Sequence, residues 1–281
     1  MDKIGVIGLG RMGSAVAQRM QEQGHQVLGW TRSGRPVEGV AQAQDIATVV
    51  AASDTLILSL LNDDAVASVL DSLLACDLTG KQIIETSTVV PTILKDRISQ
   101  IEAKGATAVD APISGGPELV LAGACGVFVG GADAASERAQ ATIGAISKRV
   151  FHVGPLGTGL VMKTINNSML QCYFSGLDDM MPLAKRAGLT LETAIRILSG
   201  GPAGLPMIAD RIPKILGEDK TVGFEIQAGY KDNDVFQRVL QAYGLRSPIL
   251  EYTATRQKAA LDAGMGGDDP AALVSAAYNR G

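Results

Sequence analysis

The chain has 281 residues, enough for one large domain or two ordinary ones, and 46% of them are apolar. With only 5 Phe, 5 Tyr and 1 Trp, the core must be built mainly from Ala, Val, Leu, Ile and Met. A net charge of −4 with no basic stripe argues against nucleic acid as a partner, and three scattered cysteines, Cys76, Cys125 and Cys172, suit a reducing cytoplasm rather than a disulfide framework.

The chain opens directly on the strand-like run Lys3-Ile4-Gly5-Val6-Ile7, so no secretory signal is expected. No uncharged apolar run reaches the ~18 residues of a membrane helix, so no membrane partner is expected either. Strand candidates fall at residues 4–8, 26–30, 55–60, 82–86, 107–110, 126–129 and 149–153. Amphipathic stretches separate most of them. In the first, Met12, Ala15, Val16 and Met20 recur at helical spacing. Continuous apolar strands alternating with helices predict parallel strands covered on both faces.

Past Gly154-Pro155-Leu156-Gly157-Thr158-Gly159 the rhythm changes. Residues 160–186 read as one helix of roughly 40 Å, with Pro182 expected to kink it. Shorter helices follow, broken at Gly200-Gly201-Pro202, Leu205-Pro206, Pro213 and residues 264–267. Asp269-Pro270 reads as a helix start, with Asp at the N-cap and Pro at the first helical position. The expected domains are 1–154, α/β with a parallel-rich sheet, and 155–281, all helical.

Gly8-Leu9-Gly10-Arg11-Met12-Gly13 follows a strand and opens a helix, the context that makes G-x-G-x-x-G a dinucleotide-binding signal. Gly8 permits the turn, Gly10 lets backbone approach a pyrophosphate, and Gly13 lets helix and strand pack closely. The end of the second strand carries no carboxylate for a ribose 2′-hydroxyl. It reads Trp30-Thr31-Arg32-Ser33, in which Arg32 can pair with a 2′-phosphate and Thr31 and Ser33 can donate hydroxyl hydrogen bonds, with Arg35 nearby. The expected cofactor is NADP.

Asp110-Ala111-Pro112-Ile113-Ser114-Gly115-Gly116 ends a strand in a turn that offers a hydroxyl and backbone N–H groups to a carboxylate, although Pro/Gly turns are common. Lys163 and Asn167 lie four residues apart on one helix face. A lysine there can protonate a carbonyl oxygen as hydride arrives, given a pKa drawn toward neutrality. An isolated lysine more often lies at the surface. Phe224, Lys231 and Asp232 form a third segment, readable as a pocket wall or as a helix-face ion pair.

In order along the chain, the glycine motif, Glu85-Thr86-Ser87-Thr88-Val89-Val90-Pro91, residues 110–116, residues 163–167 and Lys231-Asp232 resemble the β-hydroxyacid dehydrogenase family, over almost its whole length. The resemblance implies an N-terminal Rossmann domain, a long interdomain helix and an all-α C-terminal domain. It implies an NADP-dependent dehydrogenase acting on a small hydroxy acid or aldehyde acid, with Lys163 as acid/base. Ser114, Gly115, Gly116, Asn167, Phe224 and Asp232 would hold substrate. Gly8, Leu9, Gly10, Arg11, Met12, Gly13, Thr31, Arg32, Ser33, Leu60, Leu61, Thr88 and Lys231 would hold NADP. Homodimers or homotetramers are implied.

The chain departs from the family at Glu85, where Asp is usual, at residues 117–123, where a Gly/Ala-rich stretch is usual, and at Asn233-Asp234, where Leu is common. An NADPH-dependent imine reductase is the main alternative, but those relatives replace the lysine. A non-catalytic NADPH-binding sensor would not need Lys163 and Asn167 as a pair. The longer 6-phosphogluconate dehydrogenases need more cationic groups. No metal site is expected, since His25 and His152 are isolated, and Cys172 is expected to pack rather than react.

Overall fold

A computed structural model describes residues 2–281. The chain divides into two compact units, Met1–Ile165 and Asn166–Gly281. In chain order the first contains β1 (Lys3–Ile7), α1 (Arg11–Glu22), β2 (Gln26–Trp30), α2 (Ile46–Ala52), β3 (Thr55–Leu58), α3 (Asp63–Leu74), β4 (Gln82–Glu85), α4 (Thr92–Lys95) and α5 (Ile98–Ala103). It continues with β5 (Thr107–Asp110), β6 (Ile113–Ser114), α6 (Pro117–Leu121), β7 (Gly126–Gly130), α7 (Asp133–Ile143), β8 (Arg149–Gly154) and the first turns of α8 (Thr158–Arg186).

The sheet runs β2-β1-β3-β4-β5-β7-β6, with β8 beside β7. The first five strands are parallel. Their side chains alternate between two cores, as period-2 geometry demands. Ile4, Val6, Ile57 and Ile84 join one core with Val16 of α1 and Ala139 of α7. Ile7, Leu56, Leu58 and Ile83 join the other with Val50 of α2 and Leu70 of α3. The sheet is therefore covered on both faces and the unit is a Rossmann-type α/β fold. The sheet is parallel-rich as expected, and its exception is β7, which runs antiparallel to β5 and β6. The chain leaves β5 straight into β6 without a crossover helix, so the next long strand returns in the opposite sense.

The second unit holds the rest of α8, then α9 (Leu191–Gly200), α10 (Pro206–Ile215), α11 (Ile226–Ala242), α12 (Pro248–Asp262) and α13 (Ala271–Arg280), with no strand among its residues. Phe174, Leu177, Ile195, Ile208, Ile212 and Val274 form its core. The buried Asp178 of α8 accepts hydrogen bonds from Arg256 of α12 at 2.7 Å and Arg280 of α13 at 2.5 Å, tying three helices at one carboxylate. Helix α13 begins at Ala271 rather than at Pro270. Pro270 rather than Asp269 is thus the N-cap, and Asp269, one residue earlier, accepts the Ala271 N–H at 3.1 Å. Among the described residues no helix is long and apolar enough to cross a membrane.

Candidate active site

Strand order reverses at β1, with β2 on one side and β3 on the other, and ligands of open α/β sheets bind outside the strand ends at such a point. There Gly8 turns the chain with φ +101°, and its N–H donates to the Trp30 carbonyl at 2.8 Å. A Cβ at Gly8 would overlap the Ser59 carbonyl oxygen, and one at Gly13 would overlap that of Gly8. At Gly10 a Cβ would meet nothing within 4 Å, so that face of the turn is open. No side chain caps α1, and its first turn has no acidic residue. These exposed N–H groups and the positive end of the helix form a cradle suited to a diphosphate.

Around this cradle, Arg11 is exposed and Met12 half-buried. Leu9 is buried, its side chain against Gly29, so only its backbone faces the turn. After β2, Thr31 and Ser33 place their hydroxyls 3.5 Å apart, Ser33 accepts the Arg35 N–H, and Arg32 is exposed. After β3, Leu60 donates its N–H to the Ser87 hydroxyl at 2.8 Å, and Leu61 is 74% exposed. Thr88 is half-buried just past β4.

Two carboxylates lie at the ends of β4 and β5 as register neighbours, Glu85 and Asp110, both fully buried. Glu85 Oε1 accepts the Ser87 N–H at 2.6 Å, while Oε2 is buried without a hydrogen-bond partner. Burial pushes its pKa up to about 7, against the pull of the Ser87 hydrogen bonds, and the nearby Asp110 adds to the rise. Asp110 accepts the Gly157 N–H on Oδ1 at 2.6 Å and the Leu160 N–H on Oδ2 at 2.8 Å. Burial still raises its pKa to about 6, outweighing those N–H groups.

Lys163, one turn beyond Leu160, is only 6% exposed. Its Nζ donates to the Ile113 carbonyl at 2.6 Å. The structure therefore joins Lys163 to the segment carrying Ser114, Gly115 and Gly116. Gly115 is exposed with φ +134°, and Ser114 and Gly116 are half-buried. Sequence reading singled out the loop and the lysine separately. It missed the Ile113 carbonyl, which no residue type signals, and the capping role of Asp110.

In the second unit, Asn167 accepts a hydrogen bond from its neighbour Asn166 at 2.9 Å. Phe224 packs over Gly229, where a Cβ would stand 3.3 Å from its ring. Lys231 pairs with the buried Asp232 at 2.7 Å, the helix-face alternative anticipated for it. Asn233 is wholly buried. It donates to Gln171 at 2.8 Å and to the Leu250 carbonyl, and accepts from Gln237 at 2.6 Å.

Comparison with known proteins agrees with this arrangement. Residues 3–154 match the NAD-binding domain of 6-phosphogluconate dehydrogenase. Residues 157–277 match the NAD-binding domain of NADP-dependent 3-hydroxyisobutyrate dehydrogenase. The chain is 31% identical to 2-(hydroxymethyl)glutarate dehydrogenase of Eubacterium barkeri over 82% of its own length and 79% of that protein. It is 30% identical to the NAD-dependent L-serine dehydrogenase of Pseudomonas aeruginosa, over 89% of each. A solved structure, 3-hydroxyisobutyrate dehydrogenase of Mycobacterium tuberculosis with L-serine, shares the fold with a TM-score of 0.87 at 24% identity, over 98% of this chain and 99% of that one.

Proposed function

We propose that this chain, which belongs to the NAD(P)-dependent β-hydroxyacid dehydrogenase family, interconverts a small β-hydroxy acid and its aldehyde with NADP as cofactor and Lys163 as the proton carrier. The observation that carries the reading is Lys163 itself. Its Nζ is buried and donates to a backbone carbonyl beside a Ser-Gly-Gly turn.

The residues present fit the cofactor. The open face at Gly10 and the uncapped start of α1 would take its diphosphate. Arg32, with Thr31 and Ser33, would take a 2′-phosphate, since β2 ends without the carboxylate a 2′-hydroxyl calls for. Leu60, Leu61 and Thr88, with Arg11 and Met12, line the same strand ends. A bound nicotinamide cofactor would supply hydride exchange with the alcohol or aldehyde carbon. Lys163 Nζ takes the hydroxyl proton in oxidation and gives it back in reduction. Ser114 and the N–H groups of Gly115 and Gly116 bind the carboxylate. Asn167, Phe224 and Asp232 are the second unit's candidates for holding the acid, and Lys231 for the cofactor.

L-Serine, 3-hydroxyisobutyrate and 2-(hydroxymethyl)glutarate, the acids named by the three relatives, share the unit HOCH2–CHR–CO2− and differ in R. We take that unit as the substrate class. Met169, Met180 and Leu183, each more than half exposed on α8, fit an apolar contact between copies in a homodimer or homotetramer.

The test is nicotinamide absorbance with NADP or NADPH and acids of this class, for the native enzyme and Lys163→Ala. Turnover that falls roughly 10²–10⁴-fold in the variant, with NADPH binding retained, is the expected result. Activity surviving the substitution overturns the role of Lys163. NADPH oxidation by a cyclic imine but by no aldehyde acid, or binding without turnover, overturns the reaction.

A further inference from the structure

The segment from Asp110 to Ile113 grips helix α8 at two successive turns. At the first, the Asp110 carboxylate spans the helix start, with Oδ1 on the Gly157 N–H and Oδ2 on the Leu160 N–H. At the second, the Ile113 carbonyl accepts a hydrogen bond from Lys163 Nζ. Space around the first grip is tight. A Cβ at Gly159 would stand 2.8 Å from Asp110 Oδ2, and one at Gly130 would stand 2.5 Å from Oδ1. The carboxylate is thus enclosed by backbone from β7 and α8. It has little room to turn and no exposure to solvent.

We propose that Asp110 is a positioning residue for Lys163, setting the depth and rotation of the first two turns of α8 so that Nζ stands at the reacting hydroxyl. The proposal rests on the reading of Lys163 as proton carrier. Both oxygens are needed as acceptors, so the clamp works in full only with the carboxylate ionised. Protonation turns one oxygen into a donor facing an N–H. The charged side chains around the group are few. Glu85 lies beside it on β4, and Lys95 of α4, whose stem packs against Gly157, favours its ionised form. β7 and α8 meet it through backbone.

Asp110→Asn keeps the volume and loses one acceptor, so it imitates the protonated state. The expected result is a kcat lower by roughly 10- to 100-fold, the scale on which small misplacements act, with KM for acid and NADP within about threefold. The acid limb of the native kcat profile, near pH 6, should vanish. Lys95→Met, at an exposed position, guards against misfolding of the first variant. It should move that limb to higher pH and leave the alkaline plateau unchanged.

Acylation of lysines by acetic anhydride, mapped by mass spectrometry, gives a readout that needs no turnover. In Asp110→Asn, Lys163 should label several-fold faster while Lys185 keeps its native rate. Faster labelling without any turnover in the native enzyme would sink the proposed reaction and leave the clamp standing. Unchanged Lys163 labelling, an unmoved acid limb in both variants, or equal acceleration at every lysine would overturn the clamp.

Discussion

Glu85→Gln offers a direct test of the buried carboxylate pair, because its effect should change sign with pH. An exposed glutamate ionises near 4.5, whereas burial moves Glu85 to about 7. At about 1.4 kcal/mol per pH unit, ionising it in the folded protein costs roughly 3 kcal/mol. Between those two values the folded state binds more protons than the unfolded chain. Stability is therefore greatest below pH 4.5 and is lost as pH rises through about 7. From pH 5 to pH 9 the loss from this group should be about 2.5 kcal/mol. Glutamine cannot ionise and keeps the oxygen that accepts the Ser87 N–H. It leaves an unmatched amide N–H where Oε2 lies, at about 1–3 kcal/mol at every pH. The variant should thus be the weaker protein at pH 5 and should equal or exceed the native one at pH 9. Urea unfolding followed by Trp30, the single tryptophan and a reporter on β2, would measure the difference. A gap between variant and native that stays within about 0.5 kcal/mol across this range, or grows with pH, would refute the reasoning.

Two further outcomes are expected. On the proposed cofactor reading, Arg32→Ala should weaken NADPH binding by roughly 10-fold or more and NADH binding hardly at all, from the loss of a charged phosphate contact; equal weakening in a fluorescence titration would remove the 2′-phosphate argument. Asn233→Leu should destabilise the second unit by about 2–4 kcal/mol by stranding Gln171 and the Leu250 carbonyl, and adding Gln171→Leu should recover part of it in a double-mutant cycle; fully additive losses would show that the two amides do not act as a pair.

How legible these features were in the sequence depended on what kind of group carries them. Gly8 and Gly13 are legible because any Cβ there would strike a carbonyl oxygen, so backbone geometry dictates the residue. The alternating α/β half and the long helix are legible because burial imposes a period on side chains. The reversal of β7 was not, since an apolar strand reads alike in either direction. Leu9 was grouped with cofactor contacts by adjacency to the glycines; its side chain leaves the turn after β1 and packs against Gly29 in the core, where only tertiary contact decides its direction. The partners of Lys163 and Asp110 were hidden for a different reason. They are backbone groups 50 and 47 residues away, and a carbonyl or N–H is common to nearly every position.

Two of the departures from the family pattern, at Asn233 and at residues 117–123, answer to packing. Asn233 stands where leucine is common, but its amide is wholly engaged inside the second unit. Gln171 supplies the matching acceptor, so the polar side chain is satisfied where it is buried. Where a Gly/Ala-rich stretch is usual, residues 117–121 form the short helix α6. Pro117 starts it at the position where its missing N–H costs nothing, and Val120 buries its side chain in the sheet core beside α1. Its sequence is set by that helix and by the face it covers. Neither change removes a donor from Ser114, Gly115 or Gly116 or alters the seat of Lys163, and the groups that would read the shared HOCH2–CHR–CO2− unit are therefore intact.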